Sequence, residues 1–228
     1  MALNSSQSCN VCFAKPSDMN NLVKIRMFTP DEKSLKMGIS ALHCWVKLFE
    51  YVLHLGYKIK IKKYQAISEE HKLSVVEQKN EIQNRFRSEL SLVVDMPKHG
   101  YGSSNTGNTA RRAFENADTF ADITGVDFNI IVRLRNIMKA VCSGYHLDLE
   151  AFKKYCLATS EMIIEKYNWY IMPPTVHKLL EHGYQISDCF ELPIGVYSEE
   201  AQEAQNKYIQ NARLNHTCKI SRKNAIEN

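Results

Sequence analysis

The sequence lacks any long hydrophobic run. It has no stretch of about eighteen consecutive apolar residues, the length that a membrane-spanning helix needs. The first residues, MALNSSQSCNVC, also lack the apolar core of a secretory signal peptide. These absences argue against a membrane protein and against a secreted one, and they predict an intracellular protein with no membrane partner.

The sequence also has few closely spaced cysteines and only a small excess of positive charge. The seven cysteines are an odd number and five of them are scattered singly, so a disulfide framework explains them poorly. The formal net charge of +4 is compatible with a nucleic-acid partner and far too small to prove one. With 44% hydrophobic and 24% charged residues, the chain can bury a substantial core as one compact unit or two small ones.

Helical periodicity is present over most of the chain. Between residues 39 and 57 apolar side chains recur every three or four positions, which predicts a helix with one buried stripe that ends at Gly56. Residues 77–90 have the polar pattern of an exposed helix. The segments DFNIIVRLRNIMKAVCSG and DLEAFKKYCLATSEMIIEKYNWYI also have helical spacing after an acidic start. Strand candidates are weak, so the sequence predicts a mainly α fold.

A glycine-rich segment divides this helical pattern. MPKHGYGSSNTGNTARRAF contains Pro97 and three glycines, which predicts a flexible loop followed by a helix from near Thr109. We therefore expect three parts: residues 1–95 with long helices, residues 96–207 with the loop and further helices, and a polar tail at 208–228.

Four residues have spacings that suit a metal ion. CNVC places Cys9 and Cys12 where a tight turn can present two sulfurs, and VHKLLEHG places His177 and His182 within the range of histidine pairs that share zinc. Five residues of an ideal helix turn through about 500°, so the two rings would diverge by about 140° and the segment must bend or end near Gly183. The alternative is a surface cysteine pair and two ordinary helix histidines.

A third group of residues follows the histidines. In LPIGVYSEEAQEAQNKYIQ, Ser198 is a candidate N-cap, and Glu199 and Glu200 fall in the first turn of a helix that runs through Tyr208. Glutamates at this position usually complement the helix dipole. A catalytic role needs further carboxylates, because phosphodiester cleavage uses two metal ions held between several of them.

Taken together, several blocks of the sequence resemble a known family. CNVC with AKPSDMN, then SALHCWVKLFEYVLHLGY, GYGSSNTGNTARRAF, WYIMPPTVHKLLEHG and LPIGVYSEEAQEAQNK occur in the order found in Transib-type transposases. The same order resembles, more distantly, the recombination-activating protein, the catalytic subunit of the V(D)J recombinase. The resemblance covers about residues 9–207, almost the whole chain.

The resemblance implies roles for particular residues. It places a structural zinc ion on Cys9, Cys12, His177 and His182, and it places the third catalytic carboxylate of the family on Glu200. Glu199 is the alternative for that carboxylate, and Glu203 resembles a second acidic position of the same motif. The catalytic metal would be Mg²⁺ or Mn²⁺.

The GNTARR block resembles the segment of the family that approaches DNA, which makes Asn108, Arg111 and Arg112 candidate DNA contacts. A glycine-rich loop lets backbone approach phosphate, and arginine offers bidentate donors. DNA, a second copy of the chain and an accessory recombinase subunit are the partners that the resemblance implies, and the nucleus is the implied location.

One departure from the family affects the expected activity. The family resembles RNase H-like nucleases in using two aspartates upstream of the zinc cysteines, and no acidic residue precedes Cys9 here. Asp95, Asp118, Asp122 and Asp127 match no catalytic position of the family and are better explained as loop and helix-start residues. We therefore expect a zinc-stapled helical domain that corresponds to the helical insertion and last catalytic helix of an RNase H-like transposase, with the central sheet missing.

Such a chain would be inactive alone, although its family cleaves DNA and transfers strands. The alternative is a non-catalytic, zinc-dependent helical protein that binds DNA or a partner, as a domesticated or decayed element.

Overall fold

The protein has the mainly helical fold that the sequence predicts. The computed structural model describes residues 8–98, 102–197 and 208–209. Its helices are α1 (Leu22–Ile25), α2 (Glu32–Leu35), α3 (Ala41–Lys58), α4 (Glu69–Leu90), α5 (Gly107–Glu115), α6 (Ala117–Thr124), α7 (Phe128–Val141), α8 (Leu149–Tyr167) and α9 (Pro174–Asp188). Short 3₁₀ turns lie at Pro16–Asp18 and Ile194–Tyr197.

Side-chain caps explain where most of these helices begin. In each of seven helices the residue before the first turn accepts a hydrogen bond from a backbone N–H of that turn; the capping residues are Asn21, Asp31, Ser40, Ser68, Thr106, Asp127 and Asp148. α9 begins instead at Pro174, whose missing N–H costs nothing at that position. Thr106 sets the start of α5 at Gly107, slightly before the predicted start near Thr109.

The segment predicted as a flexible loop contains a small hairpin. Strand β1 (Pro97–Lys98) pairs antiparallel with β2 (Gly102–Ser103), in a register that places Pro97 opposite Ser103. Just before it, the Asp95 backbone N–H donates to Asn105 Oδ1 at 2.9 Å, and the Met96 N–H donates to Ser104 Oγ at 3.0 Å. These bonds close the base of the hairpin and fix the path of the chain into α5.

The central helix of the fold is α3. It contacts α4, α5, α6, α7 and α9, and the core continues from these helices into the N-terminal segment. Four phenylalanines form its aromatic centre, with ring centroids 5.4 to 5.9 Å apart between neighbours: Phe49, Phe86, Phe114 and Phe120. Burial of side chains of this size is the main source of the fold's stability.

The residues before α3 pack against α8 and against the loop between α8 and α9. Asn20 Nδ2 donates to the carbonyl oxygens of Asn168 and Tyr170, and Asn20 Oδ1 accepts from the Met172 N–H, all at 3.0 Å. Arg26 Nη2 pairs with Glu161 Oε1 of α8 at 2.9 Å. The N-terminal segment is therefore attached to the α8–α9 pair before any metal is considered.

In the described part of the chain, none of the helices has the length and apolar character that crossing a membrane requires.

Candidate metal centre

Cys9, Cys12, His177 and His182 come together in one buried cluster. Their candidate ligand atoms, two sulfurs and two imidazole nitrogens, all lie within 4.8 Å of one another. All four residues are buried. Such a set could hold a metal ion, and it replaces the alternative of a surface cysteine pair and two unrelated helix histidines.

A tight turn supplies the two cysteines. The Phe13 N–H donates to the Cys9 carbonyl at 2.9 Å, and the Cys9 N–H donates to the Ala14 carbonyl at 3.0 Å. Phe13 adopts a left-handed conformation, with φ of 57°, which reverses the chain directly after Cys12. The turn directs both sulfurs to the inside, where Val11 and Ala14 are fully buried beside them.

The two histidines come from a single helix. α9 continues past Gly183 to Asp188, so the helix does not end near Gly183, which was one of the two predicted possibilities. The His177 and His182 ring centroids nevertheless lie 5.2 Å apart with their planes at 78°. Because an imidazole stands on a rotatable side chain, the two rings turn toward each other from an unbroken helix.

Hydrogen bonds define which ring nitrogens face the cluster. His177 Nε2 lies 3.3 Å from Cys12 Sγ. His182 Nδ1 lies 3.0 Å from Gln185 Oε1, one turn further along α9. His182 Nε2 is buried and has no hydrogen-bond partner within the described residues. A buried nitrogen without a partner is costly, and a metal ion at this point would remove that cost.

The donor set fits zinc. Two sulfurs and two imidazole nitrogens form the Cys₂His₂ combination of tetrahedral structural zinc sites, which have no open position for a substrate. The neighbouring Cys12 side chain lowers the pKa of Cys9, burial opposes this shift, and the two histidines lower the pKa further. The Cys9 side chain and burial raise the pKa of Cys12. Metal ligation requires both cysteines as thiolates.

A cavity lies beside the centre. It has a volume of about 320 Å³ and is lined by residues that flank the ligands, among them Asn10, Thr175 and Lys178. Lys178 Nζ donates to the Gly38 carbonyl at 2.8 Å. Burial lowers the pKa of Lys178, and the neighbouring Cys9 opposes that shift.

The candidate DNA contacts lie on α5, which contributes no residue to the metal cluster. Asn108 and Arg112 are exposed, and Arg112 Nη2 also donates to the Leu90 carbonyl at 3.2 Å. The Arg111 guanidinium stands over the Trp45 ring, 5.7 Å from its centroid. Gly107 is buried, and a Cβ at this position would lie 2.4 Å from Leu42 Cδ1, so a larger residue would displace the Leu42 side chain. This glycine therefore has a packing role that the sequence did not indicate.

The acidic residues of the prediction have different outcomes. Glu199, Glu200 and Glu203 lie outside the described residues. Among the four aspartates judged non-catalytic, Asp127 caps α7, Asp118 lies in the first turn of α6, and Asp122 pairs with Arg85 on α4. Asp95 lies in a loop but is the centre of a polar network. Its carboxylate accepts from His54 Nε2 at 3.0 Å and from Asn105 Nδ2 at 2.9 Å.

Two residues near the metal cluster were missed by sequence reasoning. Gln185 holds the outer nitrogen of His182, and the buried Glu181 lies between the two histidines in the chain. Helical spacing could have identified both residues, because Glu181 is four positions after His177 and Gln185 is three positions after His182. Positions three and four apart lie on the same face of a helix.

Comparison with known proteins adds no identification. The chain matches no protein-family profile, and it matches no curated protein at a significant level.

Proposed function

We propose that this chain contains the zinc-stapled helical domain of a DNA transposase of the Transib and recombination-activating type. The observation that carries the proposal is the convergence of Cys9, Cys12, His177 and His182 in one buried cluster. The ordered motifs of the sequence imply these same four residues as the zinc ligands of that family. A random pair of cysteines and a random pair of histidines, separated by most of the chain, have no reason to meet.

The zinc ion in this proposal is structural. Four protein ligands leave no position for water or substrate, and all four side chains are buried. Zinc supplies folding free energy here, because the ligands are brought together only in the folded state. Its effect would be to fix the N-terminal segment to α9.

The proposed DNA contact is the N-terminus of α5. The first turn of this helix contains no acidic residue, and Asn108 is exposed there. Free backbone N–H groups at a helix start attract phosphate. Arg112 is exposed on the same helix, while Arg111 lies half-buried against Trp45. Arg112 is therefore the stronger candidate for a phosphate contact, and Arg111 has a packing role as well.

Catalysis in this proposal requires more than the described residues. Glu200 would supply one carboxylate to Mg²⁺ or Mn²⁺, and the family uses two aspartates besides. Within residues 8–98 and 102–197, no other group of three or more metal-ligating side chains accompanies the Cys/His cluster. The second candidate function is a non-catalytic zinc-dependent helical protein that binds DNA or a partner, and the Cys/His cluster supports it because that cluster needs no catalytic carboxylate. A nuclear location, a homodimer and an accessory recombinase subunit rest on the resemblance alone.

The first experiment measures the metal. Purified protein should contain one zinc ion per chain by elemental analysis, and Cys12→Ser should lose it. Cys189→Ser is the matched control, because Cys189 is exposed and does not belong to the cluster. Metal-free wild-type protein with full stability would overturn the proposed zinc site.

The second experiment separates the two candidate functions. In a cleavage assay with a longer product or a complementing chain that supplies the aspartates, Glu200→Gln should abolish cleavage and leave DNA binding intact. In both candidates, Arg111→Ala with Arg112→Ala should weaken DNA binding and reduce the slope of log affinity against log salt by about one to two. Arg87→Ala, an exposed arginine on α4, is the control. Unchanged cleavage in Glu200→Gln would overturn the assignment of the catalytic carboxylate to Glu200.

A further inference from the structure

Two buried polar atoms on α9 have no hydrogen-bond partner among the described residues and lie one helical turn apart. They are Nδ1 of His177 and Oε1 of Glu181. His177 is fully buried, and only 2% of the Glu181 side chain is exposed. Each buried atom without a partner carries a desolvation cost, so two such atoms four positions apart on one helix call for an explanation.

His182, the other histidine of the cluster, has a hydrogen-bond partner of the kind that His177 lacks. His182 Nδ1 contacts Gln185 Oε1 at 3.0 Å, and its Nε2 is buried without a partner. An oxygen acceptor one turn further along α9 therefore holds the outer nitrogen of this ring. Zinc-bound histidines commonly have such a partner, which selects the tautomer and fixes the orientation of the ring.

Helix geometry places Glu181 in the same relation to His177. Residues four apart on a helix are neighbours, with about 5–6 Å between their Cβ atoms. Helical side chains also lean toward the N-terminus of their helix, so Glu181 leans over His177. His177 Nε2 faces Cys12 Sγ at 3.3 Å. Nδ1 is then the atom left on the outer side of the ring.

Arg26 holds the other oxygen of the Glu181 carboxylate. Arg26 Nε lies 3.7 Å from Glu181 Oε2, and Arg26 Nη2 lies 2.9 Å from Glu161 Oε1. The two glutamates differ in their surroundings, because the Glu161 side chain is 56% exposed. Glu161 already gives Arg26 a surface ion pair. An ion pair with Arg26 therefore does not explain why the carboxylate of Glu181 is buried.

We infer that Glu181 is a positioning residue for the metal centre: with metal bound, its Oε1 turns to accept a hydrogen bond from Nδ1–H of His177, a bond that the two atoms do not make in this structure, and Nε2 is left as the metal-binding atom. Arg26 forms an ion pair with the other carboxylate oxygen, Oε2. This inference rests on the proposed zinc site, and it gives both histidines an outer partner on α9.

The test uses four variants of the full chain and measures metal affinity by competition between the protein and a chelator, with Co²⁺ as a coloured substitute for Zn²⁺. Glu181→Met removes the acceptor, and it should weaken metal binding about 10- to 100-fold and alter the Co²⁺ absorption spectrum. Glu181→Gln keeps an acceptor oxygen of the kind that Gln185 offers to His182, and it should retain most of the affinity. Glu161→Met is the control for the surface ion pair and should bind metal as the wild type does, whereas Arg26→Gln removes the ion-pair partner of Glu181 and should weaken metal binding less than Glu181→Met does.

A second measurement on the wild type needs no substitution. In the zinc-bound protein, the ¹⁵N spectrum of the imidazoles should show a proton on Nδ1 of His177 that exchanges slowly with water. A rapidly exchanging Nδ1 proton, or zinc on Nδ1, would overturn the inference.

The outcomes distinguish the inference from the proposal beneath it. Wild-type protein that binds no Co²⁺ would overturn the metal site and the inference together. Tight binding by the wild type and by Glu181→Met alike would overturn the inference alone. Equal losses in Glu181→Met and Glu181→Gln would assign Glu181 to the Arg26 ion pair and reject its role as an acceptor for His177.

Discussion

At the scale of single residues, the unexpected feature is Asp95. It adopts a left-handed backbone conformation, with φ of 53°, and its side chain is largely buried. Besides His54 and Asn105, Lys79 Nζ lies 3.5 Å from its Oδ2. The hydrogen bond from His54 is the largest cause of a pKa lowered from 3.8 to about 2, which burial partly opposes. Asp95 therefore connects α3, α4 and the base of the hairpin.

This network predicts a particular pH dependence of stability. Because the pKa of Asp95 is depressed in the folded state, its contribution is fully present above about pH 4 and is lost as the pH falls through about 2. Asp95→Asn should lower the free energy of unfolding by up to about 2 kcal/mol at pH 7. Asparagine also tolerates the left-handed conformation, so no backbone strain is added.

Urea unfolding of wild type and variant at several pH values measures this effect. The difference between the two proteins should shrink as the pH falls from 4 toward 2. Asp118→Asn, at an exposed position on α6, should change stability little. A difference that stays constant with pH would contradict the role of the Asp95 charge.

At the scale of elements, two glycines predicted to end or bend helices lie inside them. α3 continues beyond Gly56 to Lys58, and α9 continues beyond Gly183 to Asp188. Gly56 permits close contact with α6, because a Cβ there would lie 2.9 Å from Thr124 Cβ and 3.0 Å from the Thr124 carbonyl oxygen. At Gly183 a Cβ would meet Leu179 and Phe152 side chains at an ordinary 3.6 Å.

These contacts predict opposite effects of the same substitution. Gly56→Ala should destabilise the protein by about 1–3 kcal/mol, since the Thr124 backbone would have to move. Gly183→Ala should be neutral or stabilising by up to about 1 kcal/mol, because alanine favours helix. Thermal unfolding of both variants measures the difference. A stabilising Gly56→Ala would show that α3 and α6 can separate at no cost.

The elements also show which features the sequence could predict. Apolar spacing and capping residues are local signals, so the mainly α class and the helices around α3, α7, α8 and α9 were predictable. The start of α4 at Glu69 was missed, because its first turns are polar on most sides. The hairpin depends on bonds from Asn105 and Ser104 to backbone ten and eight positions earlier, and no local pattern encodes them.

The candidate site likewise combines residues that the sequence could predict with residues that it could not. The four ligand residues were predictable from spacing and resemblance because their types are specific to metal binding. Gln185 and Glu181 are common helix residues, and only the orientation of the histidine rings identifies them as neighbours of the cluster.

At the scale of the whole molecule, the metal centre and the four phenylalanines lie on different elements of one continuous core. The cluster joins residues 9–12 to α9, whereas Phe49, Phe86, Phe114 and Phe120 belong to α3, α4, α5 and α6. Removal of the metal by a chelator should therefore release the cysteine turn, residues 8–14, first, while Asn20 and Arg26 keep the following residues attached and the aromatic core stays folded.

Hydrogen–deuterium exchange before and after chelation measures the release. Amides of residues 8–14 should lose protection by at least about tenfold, while those of α3 and α6 should change little. Cys12→Ser should reproduce this pattern without chelator. Equal loss of protection in all helices would mean that the core depends on the metal throughout.

The separation of the ligands along the chain also has a consequence for biosynthesis. Cys12 and His177 are 165 positions apart. At a synthesis rate of about 5–20 residues per second, the two thiols leave the ribosome about 10–30 s before the histidines do. During that interval they are open to oxidation and to capture by other metal-binding molecules. Completion of the centre thus marks a chain that has been translated through α9, and a product that stops earlier would expose an unpaired cysteine turn.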